Sequence, residues 1–71
     1  MLSKEDKVAI INDHIKRLEV QEYTQRLNYK IAKAVGEPQR RLDEIEKVRA
    51  AKEGAINALN DEIEAVEAEV S

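Results

Sequence analysis

The sequence predicts an all-α fold: an antiparallel two-helix hairpin, a helical coiled coil that oligomerises into a helical bundle. Three observations predict it. Apolar residues of the second half recur at alternating spacings of three and four, the signature of a coiled-coil seam. Of the chain's two Gly and one Pro, Gly36 and Pro38 fall together near its midpoint, so there is one strong turn. There is no Cys and aromatics are 3%, so the core must be aliphatic and no disulfide or thiolate metal site can staple it. The 71 residues form one domain, with a first helix over 3–35, a turn at 36–37 and a second helix over 38–70.

The first helix begins at Ser3, whose hydroxyl suits an N-cap, with Asp6 three residues on as a loose capping-box partner. Glu5 and Asp6 complement the positive end of the helix dipole. Along this helix the apolar residues fall on two stripes. Val8, Ile11, Ile15 and Leu18 form one; Val20, Tyr23, Leu27, Ile31 and Ala34 form another, rotated by roughly 140° at ~100° per residue. Leu2 and Ala9 lie on the side of the second stripe, whereas Tyr29 returns to the first. A helix with one neighbour needs one stripe. Two stripes predict either that the seam steps around the helix near Leu18 to Val20, or that the helix meets a further neighbour.

The turn follows from Gly36-Glu37-Pro38: Gly suits the left-handed position that ends a helix, and Pro the first turn of the next. Equal helix lengths and a short connection favour an antiparallel pair. The second helix carries Leu42, Ile45, Arg49, Lys52, Ile56, Leu59, Ile63, Val66 and Val70 in a heptad series. Arg49 and Lys52 interrupt it. Their stems can cover apolar surface while their heads reach water, or they can select register and partner. Ala51, Ala58 and Ala65 recur every seventh residue on a face away from this seam. They would admit a close helix, although Ala is also the best helix former. Gly54, on the outer side, hints at a bend or a close contact.

Charge is distributed unevenly about the net −3. Residues 26–52 hold eight basic and four acidic side chains, whereas residues 53–71 hold six acidic and no basic ones. In a hairpin the termini end is therefore acidic and the turn end basic. Lys4 and Lys7 should lie across from the acidic run and offset part of it. Opposite ends favour head-to-tail or antiparallel pairing of hairpins, against the alternative of an ordinary solvated surface. The basic turn end (Lys30, Lys33, Arg40, Arg41) is the only nucleic-acid candidate, and the pI of 5.2, the interspersed Glu37, Asp43 and Glu44, and the shortage of stacking aromatics argue against it.

Chemistry is scarce. His14 is the single His and flanks the first stripe. A bundle di-metal site needs Glu three residues before its His, and Ile11 stands there. Ser3, Thr24 and Ser71 are the hydroxyls besides the two Tyr, too few around one His for a nucleophile–base pair. No Gly-rich phosphate loop is present. These features predict no enzyme and no cofactor. No run approaches the ~20 apolar residues of a membrane span, so no membrane partner is expected. Met1-Leu2-Ser3-Lys4-Glu5-Asp6 lacks the apolar stretch of a signal peptide, which points away from secretion.

Leu2, Ser3, Glu5, Asp6, Lys7, Val8, Ile10, Ile11, Asn12 and His14 carry a resemblance over about residues 2–23. They resemble the opening of short helical proteins of contractile-tailed phages infecting marine cyanobacteria, Leu-Ser/Thr-x-Glu-Asp-Lys-Ile-x-Ile-Ile-Asn-x-His. The Ala- and Glu-rich second half is similar in character. The Glu-Pro turn and the charged Arg49 and Lys52 depart from the pattern. The resemblance implies a phage origin, an accessory role and a location in the host cytoplasm or the virion, without a defined activity.

Two isolated helices bury their stripes only partly, and with neither disulfide nor metal the remaining staple is association. The expected role is that of a non-enzymatic, self-associating structural or scaffolding hairpin, a phage virion or assembly component. The expected interface residues are Val8, Ile11, Ile15, Leu18, Val20, Tyr23, Leu27 and Ile31 of the first helix, with Leu42, Ile45, Ile56, Leu59, Ile63 and Val66 of the second. The alternative is a small adaptor or inhibitor that binds a host protein, or another phage protein, through the spare stripe of the first helix.

Overall fold

The computed structural model describes residues 1–69. Helix α1 spans Lys4–Ala34 and helix α2 spans Gln39–Glu67, packed antiparallel as a rod of 55 × 14 × 14 Å. The predicted second-helix end at position 70, and Val70 as its last seam residue, lie outside the described residues.

Local rules account for the ends. Ser3 is the N-cap of α1, its Oγ accepting from the Asp6 N–H at 3.0 Å. At the other end, the Glu37 N–H donates to the Ala32 carbonyl (2.9 Å) and the Gly36 N–H to the Lys33 carbonyl (3.2 Å). This pair of bonds is the Schellman motif, and it requires left-handed backbone at Gly36, where φ is +79°. Pro38 stands one position outside α2 as its N-cap, where it needs no N–H, and its carbonyl accepts from the Arg41 N–H at 2.9 Å.

The core lies along one seam. Leu42 and Ile45 of α2 pack with Ala32 of α1 near the turn, and Tyr29 leans on that cluster. Ile15 is buried mid-rod and Val66 is buried near the termini. Val8, Ile11, Leu18, Ile56, Leu59 and Ile63 are half-buried between them, as expected where a rod only two helices thick leaves every core residue near water. At the termini end, Lys7 Nζ meets the Glu69 carboxylate at 3.1 Å and Lys4 Nζ donates to the Glu67 carbonyl at 3.4 Å. The expected offset of the acidic run by Lys4 and Lys7 is thus present.

Candidate interaction surface

The seam of α1 does not step around the helix. Val8, Ile11, Ile15 and Leu18 are followed at the same alternating spacing by Glu22, Gln25, Tyr29 and Ala32, all buried or half-buried. The middle of the seam is polar on both helices: Glu22 and Gln25 in α1, Arg49 and Lys52 in α2. Neither Arg49 nor its partner snorkels to water. The Arg49 side chain is 17% exposed and that of Glu22 14%, and they meet at 2.8 Å between Nη1 and Oε2.

Arg49 is held from three sides. Its Nη2 and Nε donate to the two carboxylate oxygens of Glu46 (2.7 and 2.9 Å), a bidentate fork, and its Nη1 also reaches Glu53 at 2.8 Å. Arg26 Nε donates to the same Glu22 oxygen. These bonds lower the Glu22 carboxyl below the usual glutamate range, Arg49 contributing most and Arg26 next. Arg49 likewise lowers Glu46. In turn Glu46, then Glu22 and Glu53, hold the guanidinium more firmly protonated. A charged layer of this kind adds little net stability over an apolar one, but it disfavours registers that leave Arg49 without its carboxylates.

Because the seam runs straight, the second apolar stripe of α1 faces away from α2. Val20 is 63% exposed, Tyr23 61%, Leu27 41% and Ile31 60%, and Val35 continues the surface past the helix end. Of the fourteen expected interface positions, then, the four on this stripe stand in solvent, and the other ten lie along the contact between the two helices. A shallow groove lined by Tyr23, Arg26, Leu27, Tyr29, Lys30, Glu46 and Arg49 joins the outer stripe to the charged layer.

The remaining singled-out residues lie on the outside. His14 is exposed. Ala51, Gly54, Ala58 and Ala65 form part of the outer face of α2, and a Cβ added at Gly54 would meet nothing within 4 Å, so no close contact explains that glycine. Among the described residues, no group of three or more His, Asp or Glu side chains is placed to hold a metal ion. Neither helix is long and apolar enough to cross a membrane.

α1 thus presents a stripe of large apolar side chains that no described residue of the hairpin covers. Comparison with protein-family models, with curated proteins and with solved structures found no match.

Proposed function

We propose that this chain acts as a non-enzymatic, self-associating helical hairpin with a structural or scaffolding role. The observation that supports the reading is the outer stripe Val20, Tyr23, Leu27 and Ile31, exposed on a helix whose inner seam is already occupied. Apolar side chains at regular helical spacing on a long rod form a ready docking face for a further helix. The resemblance of residues 2–23 to short phage proteins supports setting that role in a phage particle or its assembly.

Solution mass across a dilution series tests the reading. The expected result is a mass that rises above the 8.1 kDa monomer as concentration increases. A folded chain that stays monomeric throughout would overturn it. A stoichiometric foreign protein bound to such a monomer would transfer the stripe to the adaptor class.

A further inference from the structure

The outer stripe has a counterpart on the same molecule. Ala51, Gly54, Ala58, Asp61 and Ala65 of α2, with its C-cap Ala68, follow one another at the alternating spacing of a helix seam, and all are exposed. This series is as regular as the inner seam of α2, but it is built of small residues. The outer series of α1 is built of large ones. Large side chains on one helix and small ones on the other let two backbones approach closely without voids. The lengths agree: Val20 to Ala34 covers ~21 Å and Gly54 to Ala68 the same ~21 Å, at 1.5 Å per residue.

Charge separates the possible pairings. The stretch of α1 that carries its outer stripe, residues 20–34, also carries Arg26, Lys30 and Lys33, with Glu22 as its acid, and Arg26 and Glu22 already pair with each other. Lys30 and Lys33 form no ion pair among the described residues. The outer face of α2 carries Asp61 and is flanked by Glu62 and Glu64, whereas Glu53 is already paired with Arg49 and Glu67 borders the groove against α1. Pairing α1 with another α1 would bring two net-positive stretches together and set large side chains against large. Pairing α1 with the outer face of α2 satisfies both shape and sign.

We propose that the outer face of α1 takes the outer face of α2 from a second copy of this chain, in a parallel head-to-tail contact. This rests on the self-association reading and specifies its surfaces. The basic half of α1 lies toward the turn and the acidic half of α2 toward the termini. Matching them sets neighbouring hairpins in opposite directions, which makes the two contacting helices parallel. Each outer face lies opposite its own inner seam, so the two faces of one hairpin point in opposite directions and cannot meet the same neighbour. The contact is therefore heterologous, and copies joined by it extend as an open row instead of closing as a two-fold dimer.

Sedimentation of the full chain and two variants tests this. Ile31→Asp places an acid on the large-residue face; Ala58→Gln places bulk on the small-residue face. Both positions are exposed, so the hairpin should keep its helicity, which circular dichroism monitors. The wild type is expected to grow beyond a dimer with concentration, and each variant alone to lose that growth. An equimolar mixture, with one intact face of each kind, is expected to stop at a one-to-one dimer. If Ala58→Gln associates like wild type while Ile31→Asp does not, α1 meets something other than the outer face of α2. The proposal then fails and self-association stands. If the wild type never leaves the monomer, both fail.

Discussion

Ile45 and Ile31 are the same residue type in two settings, the seam between the helices and the outer face of α1, and truncating each to Ala separates the two. Ile45 is 5% exposed and Ile31 60% exposed. Ile→Ala removes three carbons, ~2.4 kcal/mol of transfer free energy if the side chain is fully buried. At Ile45 nearly all of that is lost. At Ile31 less than half is, ~1 kcal/mol. Ala is the better helix former by a few tenths of a kcal/mol, which offsets part of each loss. The expected net cost is ~2 kcal/mol at Ile45 and ~0.5 kcal/mol at Ile31. For a chain of this size 1 kcal/mol moves Tm by ~4–8 °C. Ile45→Ala should therefore melt ~8–16 °C below wild type, and Ile31→Ala within a few degrees of it. Thermal melts followed by circular dichroism, at a dilution where the wild type is monomeric, provide the comparison. Equal shifts for the two variants would refute the assignment of seam and outer face.

The charged layer predicts an acid limb. Glu22 and Glu46 are lowered in the folded state, so their contribution is fully present above the unfolded glutamate value of about 4.3 and is lost as pH falls through their folded values. Tm should fall as pH is lowered from 5 toward about 2, and Arg49→Met should flatten that fall; an unchanged pH profile in the variant would contradict it. The two glycines predict opposite signs. Gly36→Ala must hold Cβ at φ +79° and should cost ~1–2 kcal/mol, whereas Gly54→Ala, helical and open, should gain ~0.5–1 kcal/mol; chemical denaturation checks both. Ser3→Ala removes the acceptor of the Asp6 N–H and should cost ~1 kcal/mol, with faster amide exchange confined to the first turn of α1.

The helix ends and the seam of α2 were legible because each is written in a local rule. Ser3 is a cap by type, Gly36 a stop by conformation, and Leu42 to Val66 repeat with few interruptions. The seam of α1 was harder to read, since half of it is not apolar. The spacing of Val8, Ile11, Ile15 and Leu18 extrapolates to positions 22, 25, 29 and 32, but hydrophobicity alone sets Glu22 and Gln25 aside and gives Val20, Tyr23 and Leu27 undue weight. The missing signal was the pairing of interruptions. Arg49 and Lys52 break the α2 seam at the level where Glu22 and Gln25 break that of α1, and a basic gap facing a partly acidic one marks a shared polar layer. Of the two readings of the double stripe, a stepped seam is excluded by the half-buried Glu22 and Gln25, and the second stripe is surplus to the hairpin.

The two tyrosines offer the most direct test of that surplus. Tyr23 lies on the outer stripe, 61% exposed, and Tyr29 leans on the core. In a Tyr29→Phe chain all tyrosine fluorescence comes from Tyr23, and its quenching by acrylamide can be followed as concentration rises. Protection of Tyr23 that grows in step with solution mass is the predicted result. A mass that rises while Tyr23 stays fully quenchable would contradict the outer stripe as the face on which copies meet.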